Sequence, residues 1–111
     1  MFNPLDLMGK LKEMQTEMER ARQRLDDITI TAESGGGMVS VTANANRKIL
    51  KITVDPDIMD RNDKEIMEDL IAAAVNKAME AAENVAREEI GRVSNNFMPN
   101  IPGMDLSQFG R

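Results

Sequence analysis

Five basic side chains stand closest to usable chemistry: Lys10, Lys12, Arg20, Arg22 and Arg24. Arg20 and Arg24 are four apart, so a helix would set them side by side. The segment 1–25 holds these five against four acidic residues, net +1, while the chain as a whole carries −5. An exposed helix of that kind can contact phosphates. The same residues also fit a solvated face with ordinary ion pairs such as Glu17–Arg20 and Glu19–Arg22. A second basic group, Arg47, Lys48 and Lys51, gives net +3 over five residues. It could meet a nucleic-acid backbone, or it could guard a strand edge against aggregation.

Other chemistries fare worse. The chain has no His and no Cys, which removes the commonest general base, the commonest transition-metal ligands and thiol chemistry. Gly35-Gly36-Gly37 is followed by Met38-Val39-Ser40-Val41, which reads as strand. A phosphate-cradling loop needs a helix there, so the glycines read as a hairpin turn. The acidic residues Asp55, Asp57, Asp60, Asp63, Glu65, Glu68 and Asp69 lack the glycine and terminal glutamate of a calcium loop. Asp63 and Glu65 suit the positive end of a helix dipole. The sequence therefore points to no catalytic residue, no metal, no cofactor and no small-molecule substrate. With three Phe and no Tyr or Trp there is no stacking platform for single strands, which favours a duplex over single-stranded targets. No apolar run reaches the ~18–20 residues of a membrane span. No disulfide framework argues for export, which makes the cytoplasm the expected compartment.

These residues must be positioned by a small set of elements. Leu7, Leu11, Met14, Met18, Ala21 and Leu25 follow spacings of 4, 3, 4, 3 and 4, a heptad seam on a helix over residues 1–26. Asn3 caps it and Pro4 occupies its first position. So narrow a stripe on so long a helix calls for a partner helix. A second copy of the chain is the economical choice, with Leu11, Met14, Met18 and Leu25 at a homodimer interface. The period then changes to two. Ile28, Ile30 and Ala32 form one apolar face, then Val39, Val41 and Ala43, then Leu50, Ile52 and Val54. Turns at Ser34–Gly37 and Asn44–Asn46 make these strands an antiparallel meander. Asp55-Pro56-Asp57 ends the sheet. Asn62 and Glu65 suggest a capping box, opening a second helix over about 63–93 with a stripe of Met67, Ile71, Ala74, Ala78, Ala81 and Val85. The remainder, 94–111, is rich in Asn, Pro and Gly and reads as a flexible tail. The expected fold is an α+β, two-layer, α-β-β-β-α protomer over residues 1–93, dimeric, with one tail.

Three runs carry a resemblance: Gly35-Gly36-Gly37-Met38-Val39-Ser40-Val41-Thr42, then Ile49-Leu50-Lys51-Ile52-Thr53-Val54-Asp55-Pro56, then Glu68-Asp69-Leu70-Ile71-Ala72-Ala73-Ala74-Val75-Asn76-Lys77-Ala78. In combination they resemble the YbaB/EbfC family of bacterial nucleoid-associated proteins. The resemblance implies a homodimer in the cytoplasm and nucleoid that binds double-stranded DNA, organises the nucleoid or modulates transcription, and has no enzymatic activity. It places the DNA contacts on the helices, at Lys10, Lys12, Arg20, Arg22 and Arg24, with Arg87 and Arg92 added. A protein–protein adaptor working through its apolar seams and tail, without DNA, is the competing expectation. The overall acidity fits the first reading if a basic DNA-facing side is separated from the acidic segment 55–69, which carries net −5.

Overall fold

The computed structural model describes residues 3–97. Their order is α1 (Pro4–Leu25), β1 (Thr29–Ser34), β2 (Val39–Asn44), β3 (Ile49–Val54) and α2 (Lys64–Phe97). The strands form one antiparallel sheet in the order β1-β2-β3. This is the α+β meander with two long helices that the periodicity predicts.

The local chemistry explains most boundaries. The Asn3 side chain accepts the Leu5 N–H at 3.1 Å, and Pro4 follows it. This cap satisfies an amide that has no partner within the helix. The turn after β1 is a 3-10 turn over Gly35–Gly37, with φ of +60°, +65° and +93°. At Gly35 glycine is required twice over. Its φ is left-handed, and a Cβ there would lie 2.7 Å from Leu70 Cδ1.

Three boundaries differ from expectation. The capping box at Asn62 does not form. Instead Asp60 caps a 3-10 turn over Arg61–Asp63, accepting the Asn62 N–H at 3.3 Å, and α2 begins at Lys64. The second turn extends past the expected Asn44–Asn46, with Arg47 left-handed (φ 63°). The buried Asn44 side chain accepts the N–H groups of Asn46 and Lys48 at 3.0 and 3.1 Å and so shapes that turn. Finally, α2 runs on to Phe97, so 94–97 belong to the helix; residues 98–111 lie outside the described part.

The sheet's inner face is covered by α2. Val39, Val41, Ala43, Ile58, Ala74 and Ala78 form the core, with Ala32, Ile49, Val54, Leu70 and Ile71 packed around them. Ala74 and Ala78 carry almost no side chain, which lets the helix approach the sheet closely. A β-bulge between Thr42 and Ala43 pairs Ala43 with Ile49. It reverses the expected parity at the start of β3: Ile49 packs on the core while Leu50 is exposed. An extra residue in one strand does this because side chains alternate faces with period two.

Helix α2 is far longer than the sheet it covers. Its 34 residues span about 51 Å at 1.5 Å per residue, against about 20 Å for six-residue strands. Beyond the sheet its stripe continues through Ala82 and Val93, both buried outside the sheet core. There α1 packs on it. The molecule is elongated as a result, 71 × 26 × 15 Å.

Candidate nucleic-acid interface

Helix α1 is tied down at its C-terminal end. The Leu25 carbonyl accepts the Ala45 N–H at 3.1 Å. The Asn46 side chain donates to the Arg22 carbonyl at 3.2 Å and to the Asp26 carboxylate. These bonds hold the β2–β3 turn against the last turn of α1. The rest of the helix leads away from that anchor.

Within the single chain, α2 meets the seam over its C-terminal half. Leu25 is 3% exposed within the single chain, and Ala21 is fully buried. Met14 and Met18 are half-buried. Of the four residues expected at a homodimer contact, Leu11 (53% exposed) is the open one, alongside Leu5, Leu7 and Met8. Sequence reasoning missed this because it weighed α1 against the small sheet alone. The signal was present in the alanine stripe of α2, which is too long for the sheet.

All five cations of α1 are exposed. At 100° per residue, Lys12, Arg20 and Arg24 fall within an arc of about 120° on the side away from the seam, and Lys10 lies on one flank of the seam. Arg22 lies on the other flank, lining a shallow groove with Leu11, Met14 and Met18. Three of the five thus share the side opposite the seam, and Lys10 and Arg22 stand on its two flanks. Glu13 and Glu17 share that side, and Arg20 Nη1 already pairs with Glu17 Oε1 at 2.9 Å. A pair this exposed is worth ~0.2–1 kcal/mol, so an incoming phosphate displaces it at little cost. On α2, Arg92 pairs with Glu89 at 2.7 Å and Arg87 donates to Asn84 at 3.2 Å. The two arginines are five residues apart and point about 140° away from each other, so they do not form one patch.

The charges separate along the molecule. Ser34 Oγ donates to the Leu70 carbonyl at 2.6 Å, and the Asp55 N–H to the Met38 carbonyl at 2.8 Å. These bonds fix the acidic segment 55–69 beside the glycine hairpin. The α1 anchor sits at the opposite end of the sheet, at the β2–β3 turn. Among the described residues, no three acidic side chains come close enough together to hold a cation. The sheet face turned away from α2 is polar, with Thr31 and Thr42 hydroxyls 3.1 Å apart.

The profile of the YbaB/EbfC DNA-binding family matches residues 1–97. The chain belongs to this family. Among its relatives, a nucleoid-associated protein of Flavobacterium johnsoniae is 40% identical over 101 residues, 91% of this chain and 93% of the other. One from Anaeromyxobacter dehalogenans is 41% identical over 98 residues, covering 88% and 93%. In three dimensions the YbaB/EbfC fold seen here is similar to the crystal structure of an uncharacterized protein from Helicobacter pylori. That match has a TM-score of 0.74 at 27% identity and covers 83% of this chain and 97% of that one. No described helix is long and apolar enough to cross a membrane.

Proposed function

We propose that this protein is a homodimeric nucleoid-associated protein of the bacterial cytoplasm. It binds double-stranded DNA mainly through phosphate contacts from α1, and so organises the nucleoid or modulates transcription. The observation that carries this reading is the exposure of Lys10, Lys12, Arg20, Arg22 and Arg24 along one helix, with Lys12, Arg20 and Arg24 opposite its seam, at the end of the molecule away from the acidic segment. Membership of a DNA-binding family supports it, as do relatives named for the nucleoid. Contacts of this type fix position on the duplex without reading base edges, so sequence preference enters through duplex shape and stiffness. Two copies of α1 in a dimer double the cations offered to the duplex, and the separation of these from the acidic segment lets them act although each chain carries −5. The work is binding, with no reaction, cofactor or small-molecule substrate.

The test is duplex binding by Arg20→Glu/Arg24→Glu. Four charges reverse per dimer, and affinity falls at least about a hundredfold at moderate salt, with helix content and oligomeric state unchanged. Unchanged binding would overturn the assignment to α1. Absence of duplex binding by the wild-type protein at ~50 mM salt would favour the adaptor reading, which the exposed Leu5, Leu7, Met8 and Leu11 would then serve.

A further inference from the structure

The apolar stripe of α1 outruns the helix that covers it. Both helices pass the β2–β3 turn, where Asn46 bonds the last turn of α1 and Arg47 lies 3.9 Å from Glu83 of α2. From there the two run side by side in opposite chain directions. Helix α2 continues from Glu83 to Phe97, about 21 Å at 1.5 Å per residue. Helix α1 reaches back from Arg24 to Pro4, about 30 Å. The end of α2 therefore falls about 9 Å short, level with Lys10. Burial follows this overlap. Val93 of α2 is buried and Met14 of α1 half-buried, while Leu7 is 48% exposed and Met8 66%. Leu7, Met8 and Leu11 share an arc of about 100° on α1. Met8 and Leu11 line a shallow depression with Gln15, which leads into the groove of Leu11, Met14 and Met18. Single apolar side chains on a surface need no explanation, but these three form a patch at one helix end.

The chain itself supplies a cover at that point. Past Phe97 it has 14 further residues, 98–111, with five large apolar side chains (Met98, Ile101, Met104, Leu106 and Phe109) against one Asp and one Arg. Pro99 and Pro102 oppose a continued helix. Met98, Ile101 and Met104 recur every third residue around these prolines. A chain of polyproline type has three residues per turn, so this spacing aligns one apolar face. Its rise of about 3.1 Å per residue carries residues 98–104 about 22 Å, more than the stretch of α1 that α2 leaves open.

We infer that the segment 98–104 continues where α2 stops and lies along the open end of α1, with Met98, Ile101 and Met104 on Leu7, Met8 and Leu11. The seam is then covered along its whole length by one chain, first by the alanine stripe of α2 and then by this segment. Adaptable methionines on both sides suit a contact between an extended chain and a helix flank. Lys12, Arg20 and Arg24 lie opposite the seam and stay open, so the cover neither needs nor blocks the phosphate contacts. The contact is local and opens before the fold does, so its test reads position.

The chain has no cysteine, so cysteine pairs report position without background. Leu7→Cys/Ile101→Cys closes a disulfide within one chain under mild oxidation. Gly9→Cys/Ile101→Cys is the control at the same height of α1, because Gly9 points away from the seam with open space around its Cβ. The first pair closes at least about tenfold faster than the control, as docking raises its effective concentration. A second measurement uses the full chain with labelled methionine methyl groups. In the wild-type protein Met98 and Met104 resonate away from the free-chain position, and Leu7→Asp/Leu11→Asp returns them to it. Ile66→Asp, an exposed apolar residue beside the acidic segment, leaves them unmoved. Equal closure of the two cysteine pairs would overturn the inference, as would free-chain methyl positions in the wild-type protein. A Leu7→Cys/Ile101→Cys disulfide that joins two chains would overturn it in favour of a second copy on this end of α1.

Discussion

The sheet end of the molecule and its helical end are held by different means. At the sheet end, α2 lies on a paired meander, and Val39, Val41, Ala43, Ala74 and Ala78 lose all contact with water. At the helical end, two helices meet along one narrow stripe. Burial there fades along α1, from Ala21 and Leu25 at the anchor to Leu7 and Leu11 at the open end. One alanine-rich helix serves both ends because it outruns the sheet. The contrast teaches how the chain divides its burial: the sheet end carries the core, and α1 is progressively more exposed toward Pro4.

The largest effect is expected at the junction between the two ends. Leu25→Ala removes a side chain buried against α2 and costs about 3 kcal/mol, read as a shift in the denaturation midpoint at unchanged slope. A loss under about 1 kcal/mol would mean that α1 is held by its hydrogen bonds rather than by packing. At the sheet end, Gly35→Ala costs about 2 kcal/mol, the sum of a left-handed φ and overlap with Leu70. The neighbouring Gly36→Ala has open space around its Cβ and costs about 1 kcal/mol for the φ alone. Equal costs at the two glycines would contradict the close approach of Leu70. The smallest effect belongs to the open end: Leu7→Ala stays within about 0.5 kcal/mol. Amide exchange sharpens the same comparison, with protection high along β2 and falling through α1 toward Pro4.

Much of this was legible in the sequence. Alternation at 39–43, the glycine turn and the Asn3-Pro4 cap each specify local structure through local chemistry, and each sits where its pattern puts it. The family was legible from three short runs taken together. Two features were not. The bulge at Leu50 inverts one strand's facing by a single residue, and nothing in Ile49-Leu50 announces which of two adjacent apolar residues turns inward. The partner of the α1 seam is a tertiary choice: a heptad stripe says that a helix will be met, and either α2 or a second copy satisfies it. The basic residues were legible as a set. Their division around α1, with Lys12, Arg20 and Arg24 opposite the seam, follows from helix geometry; that α2 covers the seam of the same chain does not.

The central claim is that α1 holds duplex DNA by its charge. The most direct measurement is the affinity of the wild-type protein for a short duplex across a range of monovalent salt. Phosphate contact by Lys10, Lys12, Arg20 and Arg24 from two copies predicts a steep linear fall of log K with log salt, about −0.9 for each phosphate neutralised. Arg20→Glu/Arg24→Glu should flatten that slope. A wild-type slope near zero, or one that the double variant leaves unchanged, would contradict the account.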